Sequence, residues 1–294
     1  MSEKLFDRVA LIGIGLIGSS LARALRRDSP GTSIVACARR SETLATVRRL
    51  ELADETTDDP AAAAAGADLV VLATPLSAYA EIGRRIAPAL QPGATLTDVG
   101  SVKQAVIRDL QPHLPPGVHF VPGHPVAGTE HSGPEAGFAE LFRGRWCILI
   151  GLPQTAPEAV ARVGRMWERF GMRVVTMSPD HHDKVLAVTS HLPHLIAYTI
   201  VGTATDLEDS LKSEVIEFSA SGFRDFTRIA ASDPVMWRDI FLNNREAVLE
   251  ILQRFNEDLT ALQRAIRWGE GDKLEDLFTR TRAIRRSIIE AKQA

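Results

Sequence analysis

At 294 residues the chain can hold one large domain or two modest ones, and 45% hydrophobic with 24% charged residues is the composition of a soluble globular protein. A formal net charge of -3 argues against a polyanion such as nucleic acid as main partner and points to a small molecule. Two cysteines, Cys37 and Cys147, far apart and without CxxC spacing, give no disulfide framework and fit a reducing cytoplasm.

Lys4 and Arg8 ahead of the apolar run at 9–17 imitate a secretory leader, but Glu3, Asp7 and three glycines spoil it. No stretch reads as long and apolar enough to cross a bilayer, so no membrane is expected. Residues 9–12 predict a strand and 19–27 a helix with Leu21, Ala22 and Leu25 on one face. Between them stand Gly13, Gly15 and Gly18, with Leu16 and Ile17 opening the helix. Strand, glycine turn and helix in that order form a dinucleotide-binding unit. Gly13 permits the tight turn, Gly15 lets backbone approach a pyrophosphate, Gly18 packs helix on strand, and the helix N-terminus faces the phosphates.

The next strand, 33–37, should end in a carboxylate if NAD is bound, to hold the ribose hydroxyls. It ends instead in Ala38-Arg39-Arg40-Ser41. Guanidinium groups at that point favour a 2′-phosphate, hence NADP, with NAD possible; the other reading is a solvated basic face. Helices are predicted at 61–65, 79–89 and 102–110, and strands at 67–74, 94–99 and 119–121. Thr74 and Pro75, closing the strand at 67–74, join the cofactor-binding candidates. Two further strands, 146–151 and 173–177, flank a helix at 157–170. The fold expected is α/β, a Rossmann-type, mostly parallel sheet covered on both faces. Ligands sit beyond the carboxyl ends of such strands, where Thr74, Asp98, Ser101 and His124 should open onto one crevice.

His124 lies in the stretch Val121-Pro122-Gly123-His124-Pro125-Val126-Ala127-Gly128-Thr129-Glu130, which reads as a rigid Gly/Pro loop. A histidine there has little packing work to do and is the candidate base beside a nicotinamide ring.

Ser178-Pro179-Asp180 reads as a strand stop and a helix cap, dividing a dinucleotide-binding domain, 1–178, from an all-α substrate and dimerisation domain, 179–294. A helix is predicted to begin at His191-Leu192-Pro193-His194 and run through Tyr198 and Val201. The segment 219–228 is glycine-broken, then helical. From Asp233-Pro234 one long helix carries Trp237, Phe241, Asn244, Val248, Ile251, Phe255, Leu259, Leu262 and Ile266 in a stripe, ending at residues 269–271. Asp272 caps a last helix with Leu274, Leu277, Phe278, Thr281, Ile284 and Ile288 inward. A homodimer is expected on these helices, a monomeric bundle being the alternative.

The chain resembles the prephenate/arogenate dehydrogenase family of tyrosine biosynthesis. The resemblance rests on the glycine fingerprint, Asp98-Val99-Gly100-Ser101-Val102-Lys103, and the stretch Gly123 to Glu130. It continues through Ser190-His191-Leu192-Pro193-His194, Gly222-Phe223-Arg224-Asp225-Phe226-Thr227-Arg228-Ile229-Ala230 and Asp233-Pro234-x-x-Trp237. It implies NAD(P)-dependent oxidative decarboxylation of a cyclohexadienol, with His124 taking the ring-hydroxyl proton and Ser101 bonding the hydroxyl or orienting His124. It further implies His194 lining the pocket, Arg228 clamping a carboxylate, and Glu130 and Trp237 gating or shaping it. Ser101 as a mere cap of the helix near 102 stays open, as does Arg224 in place of Arg228 from spacing alone. His191 and His194 are spaced as a metal pair, but no third ligand suits and no metal is expected; His191 reads as structural. His131, His181 and His182 read as surface residues. No preceding catalytic or following regulatory domain is expected, so inhibition by tyrosine would have to compete in the pocket. Another two-domain NAD(P) dehydrogenase, or a non-enzymatic NADP sensor, are the competing functions, and prephenate or arogenate as substrate is left open.

Overall fold

The computed structural model describes residues 4–205, 217 and 221–290, and its internal contacts divide the chain into two compact units, Met1–Arg245 and Glu246–Ala294. In the first unit, β1 (Arg8–Ile12) leads through the glycine turn into α1 (Leu16–Asp28). β2 (Ser33–Cys37), α2 (Ser41–Arg49), β3 (Glu55–Thr57), α3 (Pro60–Ala64), β4 (Leu69–Leu72) and α4 (Tyr79–Ile86) follow. β5 (Thr95–Asp98), α5 (Lys103–Leu110) and β6 (His119–Val121) complete the sheet. All six strands are parallel, in the order β3-β2-β1-β4-β5-β6. That is the doubly wound order with its crevice between β1 and β4 at the carboxyl edge.

The sheet is closed on both faces because successive strand residues point to opposite sides. Val9, Leu11, Ile34, Ala36, Leu69 and Val71 join one core with α1, Phe142 and Trp167. Ala10, Ile12, Val35, Val70 and Leu72 join the other with Tyr79, Ile86 and Val106. Each fully buried aliphatic side chain stabilises the fold by roughly 1.5–3 kcal/mol. Cys37 and Cys147 are free and buried in these cores. Burial pushes the Cys37 thiol up to about 11, which makes it a packing group.

Two departures from the sequence reading concern the end of this unit's sheet. β6 stops at Val121, where Pro122 has no N–H to extend the ladder. The chain does not become a loop there. It passes directly into β7 (Gly123–Pro125), antiparallel to β8 (Trp146–Leu149), which pairs parallel with β9 (Arg173–Thr176). β8 and β9 are thus strands as predicted, but in a separate three-stranded sheet, with α6 (Pro157–Arg169) between them in sequence. The short α2 and β3 had no sequence prediction.

Ser178 caps α7 (Pro179–Leu186) by accepting the His181 N–H. The helix does not restart at His191; it runs on through a π-turn, Ala187–His191, into α8 (Leu192–Thr205). Pro193, which has no N–H to give and crowds the carbonyl four residues back, follows directly on the widened turn. The continuous helix Pro179–Thr205 is, contrary to expectation, long and apolar enough to cross a bilayer by length and composition. Its first turns are nevertheless anchored by buried polar groups, described below.

A helix at Ser221–Thr227 continues as a 3-10 turn, Arg228–Ala231; residues 219 and 220 of the predicted segment lie outside the described residues. Asp233 caps the next helix, Pro234–Asn243, through the Met236 N–H. The single long helix of the sequence reading is two helices, since Asn244 leaves helical geometry between Pro234–Asn243 and Arg245–Trp268. The last helix is Gly271–Glu290. Phe278 and Ile284, expected to face inward, are 56% and 55% exposed in the single chain, because a helix pair offers too little cover for every apolar position.

Candidate active site

The turn after β1 is shaped by its glycines. Gly13 has φ +99°, and a Cβ on it would lie 2.5 Å from the Ala73 carbonyl oxygen. A Cβ on Gly18 would lie 2.0 Å from the Gly13 oxygen, whereas one on Gly15 meets nothing within 4 Å. Two of these glycines therefore serve the fold, and the third leaves space. No side chain caps the first turn of α1, so the N–H groups of Leu16 and Ile17 are available to an anion. Thr74 follows β4 beside Gly13, its Oγ1 buried without a hydrogen-bond partner, and Pro75 turns the chain into a short 3-10 segment. A backbone cradle with room at Gly15 and an unpartnered buried hydroxyl beside it fits a dinucleotide. At the end of β2, Arg39, Arg40 and Ser41 are exposed, and the first turn of α2 also lacks a side-chain cap.

The second part of the edge is built from buried ionisable groups. Asp98, at the end of β5, is fully buried, as is Lys103. Lys103 Nζ donates to Asp98 Oδ2 at 2.6 Å and to the Gly123 carbonyl, while Gly123 N donates to Asp98 Oδ1 at 3.1 Å. Gly100 N donates to Asp98 Oδ2 at 2.7 Å. Burial pulls the Lys103 amine down and Asp98 draws it back up. Asp98 does not open onto the crevice as expected. It works inward, holding the Gly123 N–H itself and the Gly123 carbonyl through Lys103, and so fixes the start of the strand that carries His124.

His124 is only 7% exposed. Its Nδ1 lies 2.8 Å from His182 Nε2, and His182 Nδ1 lies 2.7 Å from Asp183 Oδ1. His182 is 0% exposed, so the expectation of a surface histidine is wrong. The signal was present: His182 and Asp183 lie on the same helical stripe as Leu186 and Ala187. Asp183 also accepts the Lys103 N–H at 2.7 Å and the Gln104 N–H at 2.9 Å, capping α5 across 80 residues of sequence. It takes the capping place that Ser101 could have had; α5 has no cap from its own neighbourhood, and the Ser101 hydroxyl stays half-buried and unbonded.

These contacts assign the tautomers. Asp183 accepts, so His182 carries its proton on Nδ1 and presents a lone pair at Nε2. His124 then donates from Nδ1, which leaves its Nε2 unprotonated and without a partner. Burial first, then His182, Lys103 and His191, hold His124 well below the usual histidine range, so it is neutral at pH 7.

A third group lies in the helical segments. Asn244 donates to the Asp183 carbonyl at 2.8 Å and to His191 Nδ1 at 3.0 Å. His191 is buried, meets Trp237 edge-on, and is pushed down to about 4 by burial. His194 stacks on Trp237 with ring centroids 3.6 Å apart and donates from Nδ1 to the Ser190 carbonyl. In the metal-spaced pair His191 and His194 the Nδ1 atoms are taken by protein partners, while His191 Nε2 is buried without one. Arg228 pairs with Glu130 at 3.0 Å and lies near enough to His194 to disfavour its protonation. Among the sequence candidates, His194, Trp237, Arg228 and Glu130 form one connected group, and His124 is joined to Ser101 through Asp183 and α5. His131 and His181 are exposed, as expected.

Residues 21–176 match the family described as prephenate dehydrogenase, nucleotide-binding domain, and residues 178–280 match prephenate dehydrogenase, dimerization domain. The chain is 42% identical to the cyclohexadienyl dehydrogenase of Zymomonas mobilis over 283 residues, 96% of each chain. Among solved structures, prephenate dehydrogenase from A. aeolicus, in complex with hydroxyphenyl propionate and NAD+, superposes with a TM-score of 0.89 at 34% identity, covering 98% of this chain and 99% of that one. Synechocystis arogenate dehydrogenase superposes with a TM-score of 0.79 at 28% identity over 95% and 99%. With a family match across both halves and a full-length relative this similar, the chain belongs to the prephenate dehydrogenase family of NAD(P)-dependent oxidoreductases.

Proposed function

We propose that the protein oxidises and decarboxylates prephenate, arogenate or both, in tyrosine biosynthesis, with His124 as the base. The observation that carries this reading is a buried, neutral His124 whose Nδ1 is tied to His182, leaving Nε2 for the hydroxyl of a cyclohexadienol. The nicotinamide, when bound, supplies the hydride acceptor. His124 removes the hydroxyl proton, and Ser101, unbonded two residues before the start of α5, bonds the same oxygen. Loss of the ring carboxylate as CO2 then aromatises the ring, which makes the step effectively irreversible.

Arg228 takes a substrate carboxylate; its planar fork suits one, and it now rests on Glu130, which substrate must displace. The stacked His194 and Trp237 form the apolar wall against which the ring lies. Glu130 is the carboxylate of this group; paired with Arg228, it commits the pocket to neither an ammonium nor a keto group in the substrate side chain, which supports use of both substrates. The open N-terminus of α2 with Arg39, Arg40 and Ser41 supports NADP over NAD. The nucleotide-binding part ends at Ser178 and the helical part begins at Pro179. Two copies pair through apolar residues left exposed on the long helices, among them Leu259, Ile266 and Phe278. The two buried, unpaired thiols suit the cytoplasm. The reaction needs neither a membrane nor a nucleic acid.

The test is kcat/KM for prephenate and arogenate, each with NADP+ and NAD+, followed by absorbance of the reduced cofactor. Turnover of at least one substrate, fastest with NADP+, is expected; no reduction with either substrate removes the reading.

A further inference from the structure

The mechanism above uses His124 but leaves open where the positive charge goes once that imidazole has taken a proton. His124 has no carboxylate against it. The groups facing it are His182 from α7, Lys103 from α5 and His191 from the π-turn, all neutral or cationic. His182 differs in one respect. It faces the same Lys103, but also Asp183 at 2.7 Å, with Asp98 beyond. An imidazolium at His182 is therefore balanced by a carboxylate at hydrogen-bond distance, and one at His124 is not.

We infer that His182 and Asp183 form, with His124, a buried proton relay for the dehydrogenation. His182 is its positioning residue and Asp183 the counter-charge. As His124 Nε2 takes the substrate hydroxyl proton, the proton on His124 Nδ1 crosses the 2.8 Å contact to His182 Nε2. His182 keeps its Nδ1 proton, bonded to Asp183 Oδ1, and becomes the imidazolium. His124 ends neutral with its proton on Nε2, so the count of protons and charge is unchanged. When product leaves, the transfers reverse and the proton departs through the crevice. The N–H groups of Lys103 and Gln104 hold Asp183 in place, so it cannot turn away from His182. The same carboxylate thereby ties the relay to the helix that begins just after Ser101. This inference rests on His124 being the base.

The experiment compares His182→Gln and His182→Ala with wild type. The Gln oxygen can still accept from His124 Nδ1 but cannot take up a proton. The relay predicts a single-turnover rate lower by on the order of 10²-fold in both variants. It also predicts KM and cofactor dissociation constants within about threefold of wild type, and a rate that climbs with pH as hydroxide replaces the relay. A Gln variant within about threefold of wild type from pH 5 to 9 overturns it, since a hydrogen-bonding partner would then be all that His182 supplies. If the variants do not fold, the wild-type enzyme decides. Single-turnover rates in H2O/D2O mixtures should curve with deuterium content, as two protons move together, and a straight line overturns the relay. His124→Asn separates the two levels: inactive His124→Asn with normal His182 variants sinks the relay alone, and active His124→Asn sinks the base itself.

Discussion

The two parts of the sheet's carboxyl edge are made of opposite materials. After β1 the chain presents backbone: glycines, uncapped helix N–H groups and one unpartnered hydroxyl. After β5 and β6 it presents side chains, with an aspartate, a lysine, two histidines and a second aspartate almost wholly buried. The difference fits the tasks proposed for them. A pyrophosphate brings its own charge, and neutral N–H groups with a helix dipole are enough to hold it. A base has to acquire charge during the reaction, in surroundings that penalise it, so compensating groups must be built beforehand.

Experiments that break one side should leave the other standing. The largest effect is expected from His124→Asn: kcat lower by on the order of 10³- to 10⁴-fold, with little change in substrate KM or cofactor affinity. Retained kcat would mean that the buried imidazole is not the base. Next, Asp98→Asn strips the fully buried Lys103 of its counter-charge and should lower stability in urea by about 3–5 kcal/mol. A loss under about 1 kcal/mol would show that Lys103 relaxes to water or loses its proton cheaply.

The glycine side is sharpened by a pair. Gly18→Ala forces a Cβ against the Gly13 carbonyl and should cost roughly 1–3 kcal/mol of stability together with cofactor binding. Gly15→Ala meets empty space, so its melting temperature should match wild type while cofactor affinity still falls. Equal melting losses in the two variants would refute the division between fold glycines and ligand glycine. A smaller change is expected from the double substitution Ala38→Asp and Arg39→Ser. It should shift the NADP/NAD ratio of kcat/KM toward NAD by roughly 10-fold or more, and an unmoved ratio would return the arginines to plain surface.

A further effect is one of pH. His191 protonates in the folded chain near pH 4 but near 6.5 when unfolded. The unfolded chain therefore binds the extra proton first. Stability should be flat above about pH 6.5 and decline as pH falls from there toward about 4. Because His124 is held low in the same way, kcat/KM should persist below pH 6.5. Urea titrations and rate profiles over this range check both signs, and stability rising on acidification would contradict them.

Much of the first part was legible locally. Hydrophobic period and turn residues are short-range properties, so β1, the glycine turn, β2 and the caps at Ser178 and Asp233 could be read from a few neighbouring letters. The same letters single out His124, set among glycines and prolines, as the histidine to test. What could not be read is whatever depends on which distant group fills a site. His182 looks like a surface residue beside His181 until α7 is set against β7. Asp183 becomes the cap of α5 only across 80 residues, and Asp98 turns inward only because Lys103 and Gly123 meet it. Pro122 and the π-turn before Pro193 redirected elements that local propensity would have continued or restarted. Sequence by itself thus settled the family and the parallel sheet and singled out His124 as the candidate base, since each is carried by contiguous residues. Tertiary structure alone decided the charge on His124, because burial and the partners of an ionisable group are set by chain segments far apart.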